Sequence, residues 1–211
     1  MVNSETVNRR TAWMVAVFLI AATLLGFGIS RASVGTAYLD SVGKLRTQDE
    51  STFTSMALTL VNGGDWLTPR LLGRYLMYKP PLLIWLSDLS MRLLGVSLLA
   101  LRLPSLLAAV CGTLLVFCWV ARDRPVVAAW AAVALLPGNP TWHALARLCD
   151  TDMLLACFLV GALAILYAAP RLDTATSVWG FAACAAAGVM VKSAGGLLPI
   201  LVLFLSAQWI H

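Results

Sequence analysis

The sequence predicts an all-α polytopic membrane protein, with about six transmembrane helices and two interfacial amphipathic helices in a long first external loop. Three observations predict it. Of 211 residues, 60% are apolar or aromatic and only 12% are charged, with a mean hydropathy of +0.85, whereas soluble domains carry about 25% charged residues. The apolar residues fall into six stretches close to the length that a hydrocarbon core of about 30 Å demands of a helix, about 20 residues. Charged, proline and glycine residues gather between those stretches. This composition excludes a soluble globular domain, a disordered chain and a collagen-like fibre. It also argues against nucleic acid as a partner: Lys and Arg number 15 against 10 Asp and Glu, but no basic run exceeds Arg9-Arg10, so no stripe tracks a phosphate backbone.

The first span is expected at 12–30. Arg9-Arg10 precede it and hold the N-terminus in the cytoplasm. A basic start before an apolar stretch also fits a signal peptide, but the stretch is long and Arg31 interrupts any small-residue cleavage site, so the segment reads as a retained helix. The loop 31–100 follows, and 31–102 holds eight of the fifteen basic residues. Two amphipathic pieces stand out in it. The first, near 50–61, is closed by Asn62-Gly63-Gly64, and the second, 81–94, by Gly95; Asn or Gly just past an apolar periodic run is a helix stop. Asp88 and Arg92, four apart on the second piece, give it one polar face, which suits a helix lying in the interface. Further spans are expected at 101–120, 126–146 (interrupted by Pro137-Gly138-Asn139-Pro140), 153–169, 177–191 and 197–209. Arg122-Asp123-Arg124 and Pro170-Arg171 then fall on the cytoplasmic side, as the positive-inside bias asks. The five cysteines lack metal-ligand or disulfide spacing and read as packing residues.

This topology gathers the informative polar residues on the outer face: Asp49, Glu50, Lys79, Arg147, Asp150, Asp152 and Lys192. Ionisable groups are costly beside a membrane, so such convergence marks a site. Each has a plainer reading as well. Asp49-Glu50 at a helix start fits a dipole-favouring cap equally well. Arg147 and Asp152 fit an ordinary ion pair. Lys79 before Pro80-Pro81 fits an interfacial anchor, although a cation at a helix start opposes the dipole and so asks for an anionic ligand. His143, beside Trp142, reads as interfacial packing, and Trp66, Tyr75 and Trp85 fit an aromatic belt.

The ordered motifs Asp49-Glu50, Gly64-Asp65-Trp66-Leu67-Thr68-Pro69, Lys79-Pro80-Pro81-Leu82 with Trp85, Arg102-Leu103-Pro104, Ala146-Arg147 with Asp152 and Leu155, and Val191-Lys192 carry a family resemblance. From first span to last, the chain resembles the N-terminal half of the polyprenyl-phosphate-sugar glycosyltransferases of the GT-C superfamily. Within it the sequence looks most like the dolichyl-phosphate-mannose protein mannosyltransferase-like proteins and the bacterial aminoarabinose transferases that modify lipid A. The resemblance implies an inverting membrane transferase that moves a sugar from a polyprenyl-phosphate donor to an acceptor at the outer face of a bacterial cytoplasmic membrane.

The resemblance also implies roles. Asp49, with Glu50 beside it, is the expected catalytic carboxylate, taking the proton of the attacking hydroxyl. Lys79, assisted by Arg147, is expected to stabilise the departing phosphate. Asp152 is the expected second carboxylate, with Asp150 two residues earlier an interchangeable candidate, and Lys192 is the last expected substrate-binding group. Asp49 and Asp152 together suit a hard divalent cation, Mg²⁺ or Mn²⁺, better than zinc. Two departures bear on this. Several relatives carry an acidic residue where Tyr78 stands here, which weakens the metal site. Full-length relatives have about twice as many spans, so a separately encoded C-terminal half is an expected partner alongside membrane lipids, and little transfer is expected from this polypeptide alone. The reading from another class is a non-catalytic membrane subunit that keeps only the lipid-phosphate site. With no internal repeat visible, a transporter of two matched halves is the weaker fit.

Overall fold

The computed structural model describes residues 4–27, 29, 44–71, 74, 75 and 79–210. Among them are nine helices: α1 Ser4–Gly26, α2 Lys44–Val61, α3 Leu82–Leu94, α4 Leu98–Asp123, α5 Val126–Gly138, α6 Pro140–Ala146, α7 Thr151–Ala168, α8 Ala175–Lys192 and α9 Ala194–Ile210. A short antiparallel pair, β1 Arg70–Leu71 and β2 Arg74–Tyr75, sits between α2 and α3 with Arg70 opposite Tyr75. Arg31 and Tyr78 lie outside the described residues.

Local chemistry sets most of the boundaries. Ser97, Asn139, Asp150 and Thr174 each precede a helix in extended backbone and accept a hydrogen bond from its first amides, which satisfies donors that the helix itself cannot. Thr174 and Ser177 bond reciprocally as a capping box. α3 gives way to Gly95 at φ 81°, and Gly63 follows α2 at φ 89°, backbone that an L side chain resists. The span expected over 126–146 with an interruption at Pro137-Gly138-Asn139-Pro140 forms two helices: Asn139 is extended before Pro140, whose ring disfavours helical backbone in the residue ahead of it, and Pro140 opens the second helix.

α4 is the hub, packing against α1, α3, α5, α6 and α7, while α7, α8 and α9 continue the bundle in sequence order. The main core lies where α2, α3, α4 and α7 meet, around Phe53, Leu60, Leu83, Met91, Ala109 and Met153. A smaller cluster at the far end of α1 and α4 joins Val17, Phe117, Ala129 and Val133, with Trp130 edge-on to both Trp13 and Phe117. Three helices, α4, α7 and α8, are long and apolar enough to cross a bilayer, and Thr11–Gly26, Val126–Gly138 and Ala194–Trp209 are shorter apolar helices. Large apolar side chains face outward on α1 and α9, among them Leu19, Val202, Leu205 and Trp209. That outward apolar face is what a hydrocarbon solvent selects and water does not.

α3 corrects one expectation. Asp88 is fully buried rather than on a solvated face. Both its oxygens accept from Nε of Arg92 at 2.9 Å, and Nη2 of Arg92 donates to the carbonyl of Leu60 at 2.6 Å. The i,i+4 pair is therefore a staple that ties α3 to the end of α2.

Candidate functional site

α2 begins at Lys44, so Asp49 and Glu50 stand in its second turn rather than at its start; capping is not their role. Successive helical residues point about 100° apart, and the two carboxylates serve different neighbours. Asp49 accepts from Nζ of Lys79 at 2.8 Å, and the same ammonium lies 4.8 Å from the centre of the Phe53 ring. The counter-charge that Lys79 asks for beside Pro80-Pro81 is thus supplied within the chain. Glu50 takes Nε of Arg102 at 2.8 Å and Nη2 at 3.4 Å, and also accepts from the amide of Cys149 at 3.2 Å. Nη1 of Arg102 donates to the carbonyl of Ile29. One buried ion pair therefore joins α2, the first residue-rich turn of α4, the loop after α6 and the end of the α1 segment.

Asp150 and Asp152 are not interchangeable. Asp150 is buried as the N-cap of α7, accepting from the amide of Asp152 and the hydroxyl of Thr151. Asp152 is exposed and accepts from Nζ of Lys192 at 2.5 Å. Arg147 does not pair with Asp152. Its Nη1 lies 2.9 Å from Nε2 of His143, while its buried Nε–H has no hydrogen-bond partner. Burial, then the neighbouring Arg102, work against the Arg147 charge and pull its pKa below the ordinary value. Burial likewise pushes the Cys149 thiol up to about 12, so it stands protonated beside the site.

The Gly64–Pro69 motif folds as a brace. The Asp65 carboxylate accepts from the Leu67 amide at 2.9 Å and from the Thr68 hydroxyl, and these two bonds, the hydroxyl first, hold its pKa below the usual carboxylate range. Trp66 stacks on Trp85 with centroids 6.0 Å apart, and the Trp85 indole donates to the Trp66 carbonyl at 2.8 Å. The brace delivers Leu67 and Pro69 to the wall of a cavity of about 290 Å³. Lys79 lines that cavity together with Met56, Ile84, Val189, Met190 and Ser193: a single ammonium set in largely apolar walls. Ser193, at φ 50° in the turn between α8 and α9, was not legible as a wall residue from sequence.

All seven expected site residues thus lie at one end of the bundle, linked through Glu50–Arg102, the Cys149 amide, the Asp150 cap and the Lys192 turn. Arg102 and His143 join them. Arg102 carries a sequence signal, a charge at the start of an otherwise apolar stretch, whereas His143 carries none beyond its i,i+4 spacing to Arg147. Arg122, on the wall of a separate cavity with Trp13 and Met14, lies at the opposite end together with the start of α1. Asp49 and Asp152 each hold an ammonium, and among the described residues no three His, Cys, Asp or Glu side chains converge to hold a cation.

The fold has solved counterparts. ArnT from Cupriavidus metallidurans in the apo state superposes with a TM-score of 0.68 at 21% identity, over 96% of this chain and 42% of that one. The same protein bound to undecaprenyl phosphate gives 0.67 at 21% identity, over 95% and 41%. The chain therefore spans about two fifths of the length of these structures. No curated protein matches it. The sequence family described as dolichyl-phosphate-mannose-protein mannosyltransferase matches residues 78–211, the majority of the chain, from Lys79 through Arg102, Arg147 and Asp152 to the α8–α9 turn. The chain belongs to that family.

Proposed function

We propose that the chain forms the donor-side half of a membrane glycosyltransferase. In this reading it holds a polyprenyl-phosphate sugar at the outer face of a bacterial cytoplasmic membrane for transfer to an acceptor. The observation that carries the reading is Lys79: an ammonium held by Asp49 at 2.8 Å in the wall of a largely apolar cavity. A lipid phosphate needs both halves of that arrangement, a cation for its oxygens and apolar walls for its first isoprene units. The family, and the undecaprenyl phosphate in the structure of ArnT, support the same donor class. Six spans with a cytoplasmic N-terminus complete the proposal, supported by the arrangement of the start of α1, Arg122 and the end of α7 away from the site.

The chemistry follows from the pairing. In the resting chain Asp49 and Lys79 neutralise each other. A phosphate arriving at Lys79 shares the ammonium and frees an Asp49 oxygen. The acceptor hydroxyl then attacks the anomeric carbon as its proton passes to Asp49. The bond from that carbon to the phosphate oxygen breaks, and the oxygen leaves with the electron pair. Lys79 and Arg147 stabilise the charge that develops there. Glu50, with both oxygens engaged by Arg102 and the Cys149 amide, positions α2 rather than touching substrate. Asp152 and Lys192, exposed at the rim and oriented by the Asp150 cap, meet the sugar or acceptor. A divalent cation at Asp49 and Asp152 would have to displace both ammonium groups, and no step is assigned to it. Acceptor contacts from further polypeptide, including a separately encoded half, belong to the same reading.

The test compares undecaprenyl phosphate with undecaprenol for binding to the chain in nanodiscs, and follows sugar transfer from a radiolabelled donor. The phosphorylated lipid should bind at least about tenfold more tightly, by the strength of charge-assisted bonds. Lys79→Ala should remove that preference. Asp49→Asn should keep lipid binding and abolish transfer wherever transfer is measurable. A wild-type chain that binds both lipids equally overturns the proposal. Transfer that survives Asp49→Asn while the lipid preference is kept leaves a lipid-binding subunit in its place.

A further inference from the structure

Arg147 has a neutral partner where a carboxylate would be usual. Its Nη1 lies 2.9 Å from Nε2 of His143, and a guanidinium can only donate. Nε2 is therefore the acceptor, and the imidazole carries its proton on Nδ1 and no charge. Glu50, the carboxylate that holds the neighbouring Arg102, has both oxygens engaged by Arg102 and the Cys149 amide. Arg102 itself adds like charge beside Arg147. The Nε–H of Arg147 remains buried with no hydrogen-bond partner, and a buried donor left unpaired is costly, more so when charged. The side chain is thus held, uncompensated and one donor short.

The holder is itself fixed. α6 starts with Pro140 and is capped by the Asn139 side chain, which accepts from Thr141 and Trp142 at 2.9 and 3.2 Å. The Trp142 ring lies so close over Gly112 of α4 that a Cβ there would meet it at 3.1 Å. His143 and Arg147, four apart on this pinned turn, cannot drift independently.

We infer that His143 is a positioning residue for the proposed donor site: its neutral imidazole holds the Arg147 guanidinium without neutralising it, which keeps the positive charge of that side chain for a lipid phosphate. The inference rests on the donor reading above. A carboxylate at position 143 would orient the guanidinium equally well but would quench its charge, and an apolar residue would leave both the charge and the orientation unsupported. The site therefore requires an acceptor that is also uncharged.

That requirement sets the experiment. Undecaprenyl phosphate and undecaprenol are titrated against the chain in nanodiscs for wild type, His143→Gln, His143→Leu and His143→Glu, with the thermal midpoint of each variant recorded. Gln keeps a neutral acceptor and should hold phosphate-lipid affinity within about threefold. Leu should weaken it about tenfold, the range for loss of one hydrogen bond to a charged group. Glu should weaken it at least as much, even with an unchanged midpoint, because the guanidinium is then paired. Undecaprenol affinity should not move in any of them. In an Arg147→Leu background the His143→Leu change should add nothing, as expected of residues acting as one unit. Glu matching Gln, Leu within threefold of wild type, or additive effects in the double variant each overturn the inference. A wild-type chain that does not distinguish the two lipids fails the donor proposal instead, so the two failures are separable.

Discussion

Glu50 and Arg102 meet with side chains 13% and 4% exposed, whereas Asp152 and Lys192 meet with 41% and 42% exposed. The two contacts lie at the same end of the bundle and use the same kind of chemistry, yet they answer to different physics. Around Glu50, every oxygen is spent on the protein, and the pair ties together segments 52 and 99 residues apart. Around Asp152, water competes for both partners and the bond links two helix ends across the rim. Asp49–Lys79, at 33% and 16%, stands between them. In the proposed donor site, that gradient from buried to open separates architecture from the working surface.

The sharpest way to break that contrast is Arg102→Leu. Removing one member of a buried pair leaves the other charge uncompensated and costs about 3–5 kcal/mol. The thermal midpoint in detergent should fall accordingly, and Cys149, fully buried in the native chain, should become reactive to maleimide. The double change Arg102→Leu with Glu50→Leu should recover much of the midpoint, since apolar replacement of a whole buried pair is often neutral. A single change that leaves both the midpoint and the thiol untouched would remove Glu50–Arg102 as the corner of the site.

A smaller effect is expected at the α8–α9 turn, where the comparison depends on backbone rather than charge. A Cβ on Gly196 would come within 1.9 Å of the Gly188 carbonyl oxygen; small residues at such crossings let membrane helices approach closely. Gly196→Ala should force α9 off α8 and cost about 1–3 kcal/mol, the range for overpacking. It should also shift Lys192, four residues earlier, and so weaken the rim without touching the Glu50 corner. An unchanged midpoint would mean that the two helices separate at little cost.

Much of this architecture is legible in the sequence, because composition and alternation fix which ends of the helices share a side. Asp49, Lys79, Asp152 and Lys192 fall together for that reason alone. Partnership is a different matter. Glu50 and Arg102 read as a helix start and a span edge, and only folding brings them into contact. Asp88 and Arg92 show the converse: i,i+4 spacing reads as the polar face of an interfacial helix, but Asp88 is buried and Arg92, still exposed, reaches across to the Leu60 carbonyl. The early start of α2 escapes notice because Lys44-Leu45-Arg46 carries no apolar period. His143 is hidden by the apolar run around it, which reads as one span until Pro140 restarts the helix.

The smallest expected effect lies at the rim itself. Lys192→Ala removes an ion pair whose partners are both open to water, and such pairs contribute about 0–1 kcal/mol. The midpoint should therefore stay close to wild type. Affinity for undecaprenyl phosphate should nonetheless fall modestly in low salt, because an ammonium at the mouth of an anion site adds to the field that the headgroup meets. In 1 M salt, where the screening length shrinks to about 3 Å, the difference between variant and wild type should vanish. Lys79→Ala should behave otherwise, since its partly buried ammonium touches the headgroup in the proposed complex and is screened less. If the Lys192 effect persists in high salt with the size of the Lys79 effect, Lys192 is a direct ligand, and the rim and the inner wall form one continuous binding surface.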